Sequence, residues 1–174
     1  MIQNEESNAV IQRVKELFVE YNIKPYDKVT HRGNIKHILT KKGYHSEEFM
    51  LCFITYQKTI KHIDQIVEIL IQEFPHIKTI IQNINERHDN VILGDEEKIL
   101  YGKGYIYDTL LDNQYKISLK SFYQINPIQV EKLYQTAIDL AHINQDSVVL
   151  DAYCGIGTIT LSLAKHVKKN LRSR

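Results

Sequence analysis

The stretch that most constrains this chain is VVLDAYCGIGT, from Val148 to Thr158. A β-branched and leucine run enters Asp151, glycines follow at Gly155 and Gly157, and apolar residues then recur at helical spacing. That order predicts a buried strand, a tight turn and a helix, the unit from which doubly wound parallel sheets are built. Glycines there permit left-handed backbone and close approach by a ligand, and the helix start offers unpaired N–H groups. The dinucleotide fingerprint G-x-G-x-x-G needs a third glycine, but position 160 is Thr160. Spacing alone leaves two readings open: a nucleotide-type cofactor, or a tight strand–helix turn with no ligand.

The preceding residues read as a separate α/β body. Helical spacing covers residues 5–20 and 61–74, with Pro25 and Pro75 closing those units. Strands are expected at 35–40, 48–56 and 78–84, and short ones at 91–93, 105–107 and 115–119. The second of these contains MLCFIT, apolar enough to be buried on both faces. Asp112-Asn113 is the expected hairpin turn, and Pro127 the opening of a helix to about residue 141. A strand over 147–151 and a helix over 157–167 complete the pattern. The fold class is therefore α/β, a central α/β domain followed by the first helix–strand–helix of a second, Rossmann-like domain, incomplete as written.

Composition excludes several classes. Two cysteines, Cys52 and Cys154, are too few for a disulfide framework or a cysteine metal knuckle. The eight histidines show no H-x-x-x-H spacing, so no metal site is expected. No apolar run approaches the roughly 18 residues of a membrane span, and the polar, acidic start is unlike a signal peptide. No membrane association and a cytoplasmic location are the default expectations. The net charge of +1 argues against a uniformly basic nucleic-acid binder but leaves room for a local patch. One exists between Asp27 and Glu47, where Lys28, Arg32, Lys36, Lys41 and Lys42 meet no acid. It is read either as an RNA phosphate contact or as a solvated charged face. Eleven tyrosines can stack bases, although most lie in apolar segments where packing explains them.

The stretch SFYQINPIQVEKLY followed by LDAYCGIGTITLSLA closely resembles the S-adenosylmethionine-dependent uracil-5 RNA methyltransferases, which act on tRNA and 23S ribosomal RNA. HRGNIKHI, IKTIIQNIN, NVILG and LYGKGYI extend the likeness from about residue 1 to 169. The bacterial 23S ribosomal RNA enzymes are the most similar. The resemblance implies a central domain over 1–122, the start of the methyltransferase domain over 123–169, and an aberrant tail over 170–174. It implies that Gln124 contacts the methionine part of S-adenosylmethionine and that Tyr153 lies beside the cofactor. Asp151, Gly155 and Gly157 would shape the pocket, with Thr158 where relatives often carry an asparagine. Gln124 and Asn126 can also be read as caps of the following helix.

Methylation at uracil C5 needs a thiolate that adds to C6 and a base that removes the C5 proton. In the family both come from the C-terminal part of the domain, and no residue here matches either. Cys154 and Cys52 are read as packing residues. The iron–sulfur ligands of many relatives are absent; where those relatives read Cys-x-Ile-Gln, this chain reads Met1-Ile2-Gln3. The fragment alone is expected to be inactive, with 23S ribosomal RNA the substrate of the parent enzyme and a non-enzymatic RNA-binding module the alternative. Unpaired strand edges predict self-association as a possible homo-oligomer. Asn170-Leu171-Arg172-Ser173-Arg174 has no strand character where the family continues as (V/I)-Y-G-V-E. Codons for those five residues, shifted by one base, can read Ile-Tyr-Gly-Val and then an acid, so a frameshift is expected, with deliberate truncation or a tag remnant as the alternative.

Overall fold

The computed structural model describes residues 5–124 and 126–172, without the Arg172 side chain. The readings made of Met1-Ile2-Gln3 and of Ser173-Arg174 lie outside those residues. Two compact units emerge, one from Met1–Lys42 with Glu47–Ile106, the other from Gly43–Ser46 with Tyr107–Arg174.

In the first unit, helix α1 (Glu5–Glu20) places Val10, Val14, Leu17 and Phe18 on one buried face, as their three- and four-residue spacing requires. Strand β1 (Ile35–Lys42) pairs antiparallel with β2 (Phe49–Thr55). Every β2 residue is buried, as expected of FMLCFIT. Helix α2 (Ile63–Glu73) crosses over to β3 (Ile77–Ile84), which runs parallel to β2. One core joins the α1 face to Phe49, Leu51 and Phe53 of β2 and to Ile66 and Leu70 of α2. Phe18 meets Phe53 edge-on at 5.3 Å between centroids, a favoured aromatic geometry. On the helices, Arg13 Nε and Nη2 donate to Glu73 at 2.8 and 2.9 Å.

A fourth strand, β4 (Glu96–Gly102), adds antiparallel to β3 and was not evident from sequence. Its EEKILYG is mostly exposed, so it lacks the apolar alternation that marks a strand, and its ladder bonds to β3 decide the matter. The strand expected at Val91–Leu93 is instead a loop, whose Val91 and Ile92 carbonyls accept from Asn85 Nδ2 at 2.7 and 2.8 Å.

The chain passes into the second unit within β5 (Tyr105–Leu110), which forms a hairpin with β6 (Asn113–Ser118). Its turn is Leu111-Asp112, one residue earlier than expected, with both φ values positive at 46° and 62°. Two left-handed residues are what the right-handed twist of a two-residue hairpin demands. Helix α3 (Pro127–Leu140) starts with Pro127, and Asn126 caps it by accepting from the Gln129 N–H at 3.2 Å. Strand β7 (Val148–Asp151) and α4 (Thr158–Leu163) follow.

The tail corrects the sequence reading. Residues Lys169–Arg172 form β8, parallel to β7, with Val148 opposite Lys169 and Asp151 opposite Arg172. One edge of β7 is thus paired. Helix α4 stops at Leu163 rather than near Val167, because the chain turns back so that the Lys168 N–H reaches the Ser147 carbonyl at 3.1 Å. Residues with little intrinsic strand preference become a strand where a parallel partner supplies ladder bonds.

Candidate cofactor loop and RNA-facing loops

The glycine loop joins β7 to α4 inside the second unit. Asp151 ends β7, and its Oδ2 accepts the Thr160 hydroxyl at 2.5 Å. Thr160 is fixed in turn by its carbonyl, which accepts from Asn170 Nδ2 at 2.5 Å. Thr158 opens α4 with its side-chain Oγ1 at 2.8 Å from the Tyr134 hydroxyl. Its carbonyl accepts from the Tyr115 hydroxyl at 3.1 Å and the Ser162 hydroxyl at 2.8 Å. Burial raises the Tyr115 phenol above its ordinary range, so it stays a neutral donor. Cys154 is buried and its carbonyl accepts the Gly157 N–H at 2.7 Å, as suits a packing residue within a turn.

Gly155 and Gly157 have φ values of 53° and 87°. A Cβ built on either would meet nothing within 4 Å. The glycines therefore supply the left-handed turn and leave open space against bare backbone. Tyr153, two residues before Gly155, stands 94% exposed. Gln124 is half-buried, in the segment between β6 and α3. Just before it, the Tyr123 hydroxyl donates to Asp108 Oδ2 at 3.1 Å. Asp108 is buried and also accepts the N–H groups of Tyr44, His45 and Ser46 at 2.9, 2.9 and 3.1 Å. Burial, reinforced by the Asp108 charge, raises the Tyr123 phenol far above its usual range and keeps it a donor. Asp108, Tyr115 and Tyr123 escaped the sequence reading, since only their place beside the motif residues marks them, whereas Tyr134 is legible as a residue of the inward face of α3.

These residues fit part of a nucleotide-type cofactor. The open space at the glycine backbone leaves room for a ligand, and Gln124, in the same compact unit, carries an amide donor and acceptor. One expectation does not carry over. Helix α4 spans only six residues, too short for the N-terminal field expected of a longer one.

In the first unit the predicted cations separate into distinct roles. Lys28 and Arg32 are exposed on the loop before β1. Lys36 Nζ instead donates to the carbonyls of Asn85 and Arg87 at 3.0 and 2.5 Å, and lies over the Tyr26 ring at 5.0 Å. Burial lowers its pKa, as it does that of Lys41, which is half-buried. Lys42 is ion-paired with Glu6. Cys52 is buried within β2, which pushes its thiol up to about 12 and leaves no thiolate at neutral pH. Among the described residues no group of three His, Cys, Asp or Glu side chains is placed to hold a metal ion, and no helix is long and apolar enough to cross a membrane.

Residues 45–173 match the family model of tRNA (Uracil-5-)-methyltransferase. An uncharacterised RNA methyltransferase of Streptococcus mutans is 46% identical over 96% of this chain, which spans 37% of that protein. One from Oceanobacillus iheyensis is 42% identical over 97% of this chain, again 37% of the relative. The chain thus spans little more than a third of the curated relatives it matches. The crystal structure of Pyrococcus abyssi tRNA (uracil-54, C5)-methyltransferase in complex with S-adenosyl-L-homocysteine superimposes with a TM-score of 0.79 at 26% identity, covering 98% of this chain and 41% of that one.

Proposed function

The chain belongs to the tRNA (uracil-5-)-methyltransferase family, and from that premise we propose that it is the central domain and cofactor threshold of an enzyme that methylates uracil C5 in 23S ribosomal RNA. The observation that carries this reading is the β7–glycine loop–α4–β8 unit, with open space before Gly155 and Gly157 and with Gln124 in the same compact unit. When bound, S-adenosylmethionine supplies the methyl group carried on its sulfonium. In this proposal Gln124 binds the methionine portion, Tyr153 flanks the ligand, and the Gly155 and Gly157 backbone lets it approach. Asp151 and Thr158 shape the pocket wall from positions fixed by Thr160 and Tyr134. The domain boundaries at 122 and 169 belong to the same proposal.

Methyl transfer also needs a thiolate nucleophile and a base, and in this reading neither described cysteine is that nucleophile. Cys52 is a buried thiol with a raised pKa, and Cys154 is enclosed in the turn. The chain alone is therefore inactive in this reading and binds the cofactor weakly or not at all. Self-association is part of the proposal too. Val148, Leu150 and Leu171 are exposed on the β7–β8 pair, so a concentration-dependent dimer is expected by light scattering. A monomer at high concentration would remove that element.

Activity is tested in a chimera that joins residues 1–169 to the remaining length of the Streptococcus mutans relative. With tritiated S-adenosylmethionine, label is expected at C5 of uridine in a 23S ribosomal RNA transcript. Label in tRNA alone would overturn the substrate, and label in neither would overturn the function.

A further inference from the structure

We propose that Tyr26, Tyr56, His31 and His88 of the first unit form a stacking site for a base of single-stranded RNA, with Lys28 and Arg32 holding the adjoining phosphates. The proposal rests on the RNA reading above and locates where one part of that RNA would bind. The Tyr26 and Tyr56 rings lie 4.8 Å apart, and the His31 and His88 rings 4.4 Å apart. The Tyr26 hydroxyl joins the pairs, at 2.6 Å from His31 Nδ1 and 3.2 Å from His88 Nδ1. A hydroxyl donates one proton only, so one imidazole accepts at Nδ1 while the other donates there. The tyrosines are half-buried, whereas both histidines are exposed. Lys36 lies over both tyrosine rings, at 5.0 and 5.8 Å, so the imidazoles are the rings left to receive a base.

The HRGN stretch divides by role. Gly33 has a φ of 88°, and a Cβ there would sit 1.9 Å from the Pro25 carbonyl oxygen, so only glycine fits. Asn34 uses both ends of its amide, donating to the Thr59 carbonyl at 2.9 Å and accepting the Gln57 N–H at 2.7 Å. Both are explained by the fold. His31 and Arg32 instead face solvent, His31 held there by the contact of its Nδ1 with the Tyr26 hydroxyl. His31 moreover holds a left-handed φ of 55°, which a bulky side chain adopts at a cost.

The facing loop is fixed equally firmly. Lys36 binds its Asn85 and Arg87 carbonyls, and Asn85 Oδ1 accepts the Arg87 N–H at 2.9 Å. Ordering exposed loops in advance removes entropy that a ligand would otherwise have to overcome. The charges complete the case for a polyanion. Asp27 turns its carboxylate onto the Val29 N–H and Thr30 hydroxyl, both at 2.8 Å, and Asp89 is forked by Arg87 at 2.8 and 2.6 Å. Asp27 and Asp89 are thus engaged and Glu86 is exposed, while Lys28 and Arg32 stand exposed on the same loop as His31.

The test is fluorescence anisotropy of the whole chain with a labelled, uridine-rich, single-stranded RNA of about 12 nucleotides, a length on the scale of such sites. The variant His31→Asn with His88→Gln removes both rings, and asparagine accommodates the left-handed backbone. It is expected to bind at least fivefold more weakly at an unchanged unfolding temperature. His88→Gln alone, at a residue without positive φ, is expected to lose a smaller part of that affinity. Lys28→Ala with Arg32→Ala should flatten the log–log salt dependence by about 1.4, roughly 0.7 per phosphate contact on a single strand. Lys15→Ala with Lys61→Ala, at exposed lysines outside the cluster, should change the affinity little. Undiminished binding by the ring variants would overturn the stacking site and leave the chimera's methyl transfer untouched. A wild-type chain that binds no RNA would overturn the site whatever the chimera does.

Discussion

Strand β2 of the first unit is buried at all seven of its residues, whereas β7 of the second leaves Val148 60% and Leu150 64% exposed. Both are apolar runs that parallel sheets ordinarily cover on two faces. The first lies in a four-stranded sheet under two helices; the second has, among the described residues, one partner strand. Apolar sequence is thus the same signal in both units, and what differs is how much of the surrounding layer is present. The lesson is that an apolar run reports burial only where strands and helices flank it on both faces.

The largest effect expected from this contrast comes from truncating the two strands. Phe53→Ala should cost about 3–5 kcal/mol, because it removes a fully buried ring and leaves a cavity. Leu150→Ala should cost less than about 0.5 kcal/mol, as surface substitutions do. Denaturant unfolding of the two variants checks this, and equal losses would break the comparison. The two glycine sites sharpen it on a smaller scale. Gly33→Ala forces a clash with the Pro25 carbonyl as well as a left-handed alanine. Gly157→Ala brings only the backbone cost of about 1–2 kcal/mol, with nothing near its Cβ. Thermal melts should therefore rank Gly33→Ala as the more damaging, and the reverse order would mean that the second loop is packed.

Much of the first unit was legible because its residues repeat with strand and helix periods. MLCFIT and the α1 face are read directly from spacing. Strand β4 was not, since an edge strand with exposed residues on both sides carries no alternation to find. Neither was β8, whose Lys169–Arg172 takes strand form only beside β7. At the site, the glycines and Asp151 were visible as a motif, and the Asn126 cap was visible as an Asn-Pro pair. The tyrosine bonds to Thr158, the Asp108 anchor and the Tyr26–His88 bond were invisible, because each joins residues far apart in sequence. The basic run showed the opposite failure. Its five cations look alike in sequence, yet Lys36 and Lys42 are committed to internal partners while Lys28 and Arg32 face solvent.

The open loop at Gly155 is where the account is most exposed. In the chimera described above, calorimetry with S-adenosyl-L-homocysteine should compare the unmodified loop with Gly155→Leu, whose side chain would enter the space now empty around that residue. At least a tenfold loss of affinity is predicted relative to Gly155→Ala, which carries the same left-handed backbone cost of about 1–2 kcal/mol without filling the space. An unchanged dissociation constant would contradict the claim that this loop receives the cofactor.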